Sequence, residues 1–407
     1  MRLLRQTVFS SRRAFYCTSK QEKSPFEREL VAKIKMTGPM SIAQFMQEVL
    51  MNPFKGYYTT KEKVLGSSGD FITSPEISQM FGECVAIWII HEWRKMGSVK
   101  PLQLVELGPG HGTLMADILK TVKRLVPDEI PNLSVHMVEA SDKMKLVQEA
   151  RLCGYSGEKG VSKQGPKVDW HTRLSDVPKG FTFFVANEFF DALPVHKFVR
   201  DPETKNWQEV LVDIATEDES LKFVRSRQKT LANHYVDSAY DHMEAIEISP
   251  KSGIVIETIS ERIVEHGGAA LIADYGNASC SENKVVDSFR AFQDHQLCDP
   301  LKNVGQADLT ADVDFDYLKS KTSEHAKAFG PVPQSQFLTQ LGIVVRCNLL
   351  KEANPEHADE LQRSLDFLIS PQKMGSRFKF FSIFPKTVEF IHPQYTPVGF
   401  YEPKSEK

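Results

Sequence analysis

A glycine-dense turn follows a short apolar segment in the first third of the chain. Leu102 to Leu107 is predicted to form a strand, and it carries the acid Glu106 next to its end. The turn itself contains Gly108, Pro109, Gly110 and Gly112. Glycines at alternate positions let a ligand approach the main chain, and a helix predicted to begin near Thr113 offers free N–H groups. This pattern is typical of a nucleotide-type cofactor loop, although an ordinary turn between strand and helix is the alternative.

The spacing of the glycines distinguishes between two kinds of cofactor. A dinucleotide fingerprint reads Gly-x-Gly-x-x-Gly, but the third of those positions is Thr113 here. Gly112 instead completes Gly-x-Gly-x-Gly, preceded by Glu106, which resembles motif I of class I S-adenosylmethionine-dependent methyltransferases. A carboxylate at that position can face the cationic amino end of S-adenosylmethionine, whereas it would repel a pyrophosphate.

A second acid follows the next predicted strand. Val135 to Val138 ends at Glu139, and Ser141 is the predicted N-cap of the helix after it. In a doubly wound sheet Glu139 lies beside the glycine turn, where an acid can accept hydrogen bonds from ribose hydroxyls. Glu139 could equally be a solvated carboxylate at a helix start, and the two roles are compatible.

A third predicted strand, Phe181 to Ala186, leads into three polar residues that could take part in chemistry. Because ligands collect beyond the carboxyl ends of central strands, Glu188 and Asp191 are predicted to be catalytic. Asn187 can donate and accept hydrogen bonds and is predicted to contact the cofactor. The alternative is a strand exit that carries solvated acids and a capping aspartate.

A loop rich in small and hydroxyl residues, Gly66 to Ser78, precedes an apolar helix predicted over Phe81 to Trp93. Such a loop is either a connector or a segment that folds over a bound ligand. On the second interpretation Asp70 and Phe71 are candidate cofactor contacts. Ser74, which a proline follows, is the predicted N-cap of a short helix.

The composition excludes several classes of protein. The 407 residues allow one enlarged α/β domain or two close subdomains. A net charge of −3 without a basic stripe argues against nucleic-acid binding. The longest apolar run, Val85 to Ile90, is too short for a transmembrane segment. The six cysteines form no Cys-x-x-Cys, so we expect reduced thiols and no metal site.

The N-terminal segment, residues 1–24, has the composition of a mitochondrial transit peptide. It combines arginines with serines and threonines, and its first acid is Glu22. A disordered basic tail is the alternative interpretation.

Three motifs taken together resemble the MidA-like methyltransferase family. They are Gly-Asp-Phe-x-Thr-Ser-Pro-Glu-Ile-Ser at 69–78, Glu-Leu-Gly-Pro-Gly-His-Gly-Thr at 106–113, and Asn-Glu-x-x-Asp-Ala-Leu-Pro at 187–194. Further matches at 274–276, 305–315 and 374–375 extend the resemblance from Phe26 to Pro393. The resemblance implies a class I methyltransferase fold, which is a Rossmann-like twisted sheet with helices on both faces, enlarged by N-terminal helices and two insertions.

The resemblance also implies a function. With the transit-like segment, it implies an arginine methyltransferase of the mitochondrial matrix that uses S-adenosylmethionine. The implied partner is the iron–sulfur core subunit of respiratory complex I, one arginine of which would be symmetrically dimethylated (type II-like) during assembly. A carboxylate can grip a planar guanidinium bidentately, and Glu188 is expected in that role with Asp191 or Asp70 assisting. The second carboxylate that would pair with Glu188 stays open. So does an assembly chaperone of this fold with little or no catalysis.

The chain is expected to divide along the same lines. After the transit peptide come the N-terminal helices and covering loop, 25–95, the methyltransferase core at 96–194 and 254–277, insertions at 195–253 (hairpin plus helix) and 278–330, the C-terminal part of the core at 331–395, and a tail at 396–407.

Overall fold

The computed structural model describes residues 23–60, 72–154, 160–278 and 287–401. Most of the predicted transit peptide and the predicted cofactor contacts Asp70 and Phe71 lie outside these residues. Within them no helix is both long and apolar enough to cross a membrane.

The strands, in chain order, are β1 Met40–Ser41, β2 Leu102–Leu107, β3 Leu133–Val138, β4 Lys167–His171, β5 Thr182–Asn187, β6 His196–Arg200, β7 Trp207–Ile214, β8 Leu221–Arg225, β9 Ala245–Ile248, β10 Gly268–Asn277, β11 Arg290–Gln293, β12 Gln296–Cys298, β13 Asp308–Thr310, β14 Val313–Asp314, β15 Ala326–Pro333 and β16 Phe378–Pro385.

The α-helices are α1 Pro25–Thr37, α2 Ile42–Met51, α3 Tyr57–Thr60, α4 Ser74–Ile77, α5 Gln79–Lys95, α6 Thr113–Leu125, α7 Asp142–Leu152, α8 Pro250–His266, α9 Phe315–Ser320, α10 Gln334–Gln340, α11 Ile343–Ala353, α12 Ala358–Ile369, α13 Met374–Arg377 and α14 Val388–Ile391.

The central sheet runs in the order β15-β16-β10-β5-β2-β3-β4, with β14 added beside β10. The strands from β10 to β4 are parallel, while β16 and β15 are antiparallel to their neighbours. A parallel sheet of this kind needs helices on both faces, and its central strands must be apolar throughout. The almost fully buried strands β5 and β10 meet that requirement.

Alternation along β2 explains how both faces are covered. Leu104 points into a core with α5 and α6, whereas its neighbour Val105 points into a second core with α8. This arrangement is the doubly wound, Rossmann-like fold of class I methyltransferases, and it confirms the expected fold class.

The remaining strands build two smaller antiparallel sheets. One has the order β1-β7-β6-β9 with β8 beside β7, and the other has the order β12-β11-β13. Helices α1 and α2 pack between them through side chains that include Phe26 and Phe45, with Val212 and Leu309 from the sheets. The expected N-terminal helices are therefore present, and they join the two insertions into one apolar core.

The division of the chain stays a prediction, but several elements lie differently from it. The segment 195–253 supplies four strands where a hairpin was expected, and the N-terminal strand β1 joins their sheet. Strand β15 begins inside the second expected insertion, yet it pairs with β16 as the edge of the central sheet. Phe400, in the expected tail, packs against Phe337 in the main core.

Helix starts follow the sequence with one correction. Ser141 caps α7 as expected, with its side chain accepting a bond from the Met144 N–H. The N-cap of α4, however, is Thr73, and Ser74 is the first helical residue. The Ser74 N–H is bonded to the Glu188 carboxylate instead, a long-range partner that local sequence rules cannot reveal.

Candidate active site

A cavity of about 450 Å³ opens at the carboxyl ends of β2, β3 and β5. The residues predicted for the site that line it are Glu106, Gly108, Pro109, Gly110, Glu139, Asn187 and Glu188. Gly112 is not among the lining residues, because it packs at the start of α6 against Gln148. Asp191 lines a neighbouring cavity. Most of the residues predicted for the site thus lie together at this edge of the sheet.

The turn after β2 depends on glycine at several points. Gly108, Gly110 and Gly112 have φ values of 61°, 52° and 75°, in the left-handed region that favours glycine. At Gly108 a Cβ would also lie 2.7 Å from Cδ2 of Phe189. At Gly108 and Gly110 the main chain itself therefore lines the cavity, so that a ligand can contact it directly.

Glu106 is a buried acid with an unused acceptor. Its side chain is almost inaccessible, at 2% exposure, and Oε2 has no hydrogen-bond partner among the described residues. Burial raises the pKa of Glu106 to about 8, since water cannot stabilise its charged form. An isolated buried carboxylate is costly, and a cationic ligand group in the cavity would compensate for it. The site therefore fits a cofactor with a cationic end.

Glu139 is held in place by a network that local sequence analysis did not identify. Its Oε1 accepts a 2.8 Å bond from the Ser141 N–H, and its Oε2 accepts a 3.1 Å bond from Nε2 of Gln148. Nε2 of Gln148 also donates to the Gly110 carbonyl, while its Oε1 accepts from Trp170 Nε1. Burial raises the pKa of Glu139. Gln148 thus fixes the acid relative to the glycine turn.

Glu76 connects the segment 72–78, which includes α4, to the glycine turn after β2. Its Oε1 accepts a 2.5 Å bond from Oγ1 of Thr113 and lies 3.4 Å from Nδ1 of His111. The contact with His111 is the larger cause and the bond from Thr113 the smaller one; together they lower the pKa of Glu76 and favour its charged form. Helix α4 is therefore tied to the start of α6 by a carboxylate, which positions the segment 72–78 over the cavity.

Glu188 occupies a strained position directly after β5. Its φ of 51° is unusual for a residue with a side chain, and its N–H donates to the Ala273 carbonyl at 2.8 Å. Its Oε1 accepts bonds from the Ser74 N–H at 2.9 Å and from Nδ2 of Asn187 at 3.3 Å. Burial raises the pKa of Glu188 to about 8, and the nearby Asp191 adds to the rise.

Asp274 shapes the loop that carries Glu188. It is fully buried on β10, and its Oδ2 accepts bonds from the N–H groups of Phe189 and Phe190 at 3.1 and 2.9 Å, with the Asp191 N–H at 3.4 Å. Burial and the charges of Asp191 and Glu188 raise its pKa well above the ordinary value. Asp274 belongs to the sequence match at 274–276, but no role was predicted for it. The signal in the sequence that could have identified Asp274 was an acid within an otherwise apolar strand.

A second cavity of about 260 Å³ adjoins the first, and Tyr58, Thr73 and Glu188 line both. The second cavity contains two further acids. Asp191 is 7% exposed and its Oδ1 has no hydrogen-bond partner within the described part of the chain, while Asp308 accepts a 2.8 Å bond from the Tyr58 hydroxyl. Burial raises the pKa of Asp191 to about 6. The aromatic residues of this cavity include Tyr275, Phe292, Phe367 and Phe378.

No group of three or more histidine, cysteine, aspartate or glutamate side chains among residues 23–60, 72–154, 160–278 and 287–401 is arranged to hold a metal ion.

Residues 84–332 match the family model described as "Putative S-adenosyl-L-methionine-dependent methyltransferase". The human protein named "Protein arginine methyltransferase NDUFAF7, mitochondrial" is 44% identical over 380 residues, which cover 89% of this chain and 84% of that protein. The zebrafish (Danio rerio) protein of the same name is 42% identical, covering 94% of this chain and 91% of that protein.

Among solved structures, a Burkholderia thailandensis protein crystallised with S-adenosyl-homocysteine superposes with a TM-score of 0.74 at 22% identity. The match covers 89% of this chain and 92% of the bacterial chain. This likeness independently supports the fold.

Proposed function

The chain belongs to the family of S-adenosyl-L-methionine-dependent methyltransferases, and from that premise we propose that it methylates arginine side chains of a mitochondrial protein. One observation carries the proposal: a cavity suited to a cationic cofactor meets a second, acidic cavity at Glu188. Relatives that are 42–44% identical over most of their length are named mitochondrial protein arginine methyltransferases, which supports the same choice of substrate.

We assign the first cavity to the cofactor. Glu106 would face its cationic amino end, Glu139 its ribose hydroxyls, and Gly108 and Gly110 would allow it to touch the main chain. Asn187 would contact it from the end of β5. The cofactor supplies an activated methyl group on a sulfonium centre, so the protein has mainly to align the acceptor and exclude water. Asp70 and Phe71 keep their proposed role as covering contacts.

We assign the second cavity to the target arginine. A guanidinium offers five N–H donors in a plane, and carboxylates on two sides would fix that plane. Glu188 stands in the wall shared with the first cavity, so a guanidinium nitrogen held there lies next to the cofactor cavity. Asp191, one of the two assistants to Glu188 predicted from the sequence, would supply the second carboxylate, and its Oδ1 has no hydrogen-bond partner among the described residues.

The raised pKa values of Glu188 and Asp191 suit both the binding of a cation and the later acceptance of a proton. A cation that enters the cavity lowers the pKa of both carboxyl groups, since an opposite charge favours their ionised form. Glu188 and Asp191 can therefore grip the guanidinium as carboxylates while it is bound. One of them can take the proton that the acceptor nitrogen loses on methyl transfer, because burial gives both carboxylates a higher proton affinity than an acid in water has.

We further propose the iron–sulfur core subunit of respiratory complex I as substrate, symmetric dimethylation as product, and the mitochondrial matrix as location. The resemblance of the sequence motifs to the MidA-like family and the transit-like composition of residues 1–24 support these finer points.

The test compares full-length wild type with Glu188→Gln and the control Glu261→Gln, an exposed acid on α8. Cells that lack the protein are complemented with each variant, and core subunits of complex I are analysed by mass spectrometry for dimethylarginine. We expect the mark with wild type and Glu261→Gln and its loss with Glu188→Gln. Normal complex I assembly without any mark would instead support the chaperone alternative. A mark that survives Glu188→Gln would refute the assigned role of Glu188.

A further inference from the structure

The second cavity has opposite charges at its inner wall and at its mouth. The inner wall contains acids: Glu188 is shared with the first cavity, and Asp308 is bonded to Tyr58, which is also shared. Arg290 and Arg377 line the same cavity. The Arg377 side chain is 57% exposed, which places it at the mouth, where the cavity opens to solvent.

The two arginines share one carboxylate. Asp312 lies 2.6 Å from Nη2 of Arg290 but 3.8 Å from Nη2 of Arg377. The guanidinium groups lie 4.9 and 5.5 Å from the centre of the Tyr275 ring. Arg290 is thus held firmly by Asp312 and its side chain is only 16% exposed, whereas Arg377 makes a looser contact. The charge of Arg290 is therefore already balanced by Asp312, and the exposed Arg377, which contacts that carboxylate only loosely, leaves the mouth of the cavity positive.

A ligand that matches this pattern has a positive group that reaches the inner acids and a negative group that remains at the mouth. Complementary potentials of this kind select partners and orient them, even where the exposed pair adds little affinity. A peptide with an arginine and a nearby acidic residue has that distribution of charge. A basic residue in the same place would meet Arg377 and be repelled.

We infer that the site selects arginines that have an acidic residue close by in the substrate chain, and that Arg377 is the residue that contacts this acid. The inference rests on the proposed function, because it takes the second cavity to be the arginine site. It adds a preference for one class of substrate sequence. Arg377 would act on substrate selection and would leave the methyl-transfer step itself unchanged.

The experiment uses three sets of otherwise identical peptides, each with a single arginine. A glutamate, a glutamine or a lysine is moved through the positions on either side of that arginine. Binding to the full chain with S-adenosylhomocysteine is measured by calorimetry, and methyl transfer is measured separately with S-adenosylmethionine. For wild type we expect the best glutamate peptide to bind about fivefold more tightly than its glutamine counterpart, the range of an exposed charge pair.

Reversing the charge at position 377 should reverse the preference. In Arg377→Glu the lysine peptide should bind better than the glutamate peptide, so the ratio of the two affinities changes by about tenfold or more. The effect should lie in KM, with kcat nearly unchanged, since an interaction present both before and during transfer alters binding alone. Arg124→Glu is the matched control. Arg124 is exposed near the end of α6, far along that helix from Thr113, and its reversal should change neither ratio.

The outcomes separate the two claims. Equal binding of all three peptides by wild type, with methyl transfer intact, would overturn the role of Arg377 and leave the proposed function standing. A charge preference in binding that Arg377→Glu reverses, without methyl transfer, would support the inference and count against catalysis. Failure of every peptide to bind the cofactor-loaded protein would overturn both.

Discussion

Replacing Glu188 by glutamine should abolish activity and yet make the protein more stable at neutral and alkaline pH. Burial and Asp191 raise the pKa of Glu188 from its ordinary 4.5 to about 8. Because the folded state holds this proton more tightly than the unfolded state, ionisation destabilises the fold as pH rises from the lower value to the higher one. Glutamine carries no charge, and its Oε1 can still accept the bonds from Ser74 and Asn187.

The size of the effect follows from the pKa shift. At about 1.4 kcal/mol per pKa unit, the full shift corresponds to about 5 kcal/mol above pH 8. Glu188 is half-buried, so contact with solvent reduces this figure, and we expect about 2 kcal/mol. Below about pH 4.5 the two proteins should be equally stable, since the wild-type side chain is then uncharged in both states.

The assay is denaturant unfolding of wild type, Glu188→Gln and Glu261→Gln at several pH values, with methyl transfer measured in parallel. The difference in unfolding free energy between wild type and Glu188→Gln should grow between about pH 5 and pH 8. The Glu261→Gln variant, which loses an exposed carboxylate, serves as the control. A Glu188→Gln protein that is less stable at every pH, or whose gain does not grow with pH, would show that the Glu188 carboxyl is not desolvated as described.

Three further changes test other parts of the site. Gly108→Ala would place a Cβ 2.7 Å from the Phe189 ring at a φ of 61°. We expect the unfolding free energy to fall by about 1–3 kcal/mol and S-adenosylhomocysteine to bind more weakly. Unchanged affinity in calorimetry would contradict this expectation. Asp274→Ala would leave two or more loop N–H groups without their acceptor, at a cost of about 1–3 kcal/mol each. We expect a lower melting temperature and a loss of activity. A stable, active variant would be evidence that Asp274 does not position the loop that carries Glu188. Glu139→Gln would replace one carboxylate oxygen by an amide nitrogen, which cannot accept the bond from Nε2 of Gln148. We expect cofactor affinity to fall about tenfold in calorimetry. Affinity equal to that of wild type would exclude Glu139 from the cofactor site.

Local sequence patterns were enough to predict the centre of the molecule. Runs of apolar residues predicted β2 and β5, and the glycine spacing predicted a turn with left-handed backbone that the structure contains. Both are local properties, because glycine is needed where φ is positive and a strand buried on two faces must be apolar along its length. One topological rule, that parallel strands end at the same edge, then brought Glu106, Glu139 and Glu188 to a common cavity.

The network around those acids was decided by the tertiary structure. Tyr58 and Asp308 are 250 residues apart in the chain, and no local pattern links them. The same is true of Glu188 and Ser74, whose N–H donates to the Glu188 carboxylate; the N-cap of α4 is Thr73 and not the predicted Ser74. Each pair forms only when the insertions and N-terminal helices pack beside the central sheet. Sequence patterns indicate which residues one helix or strand requires, but they do not indicate which distant element provides its hydrogen-bond partners.

The second cavity shows the difference most clearly. Its acids and arginines come from the loop after β5, the second expected insertion and α13. For Glu188 and Asp191, the sequence alone left a solvated acid open as the alternative. Their function depends on burial, because an acid in water keeps its ordinary pKa whereas the same acid in a closed cavity becomes a binding site for a cation. Burial is a property of the assembled fold, so the sequence could predict Asp191 as a catalytic candidate but could not show that Asp308 and Arg377 share a cavity with it.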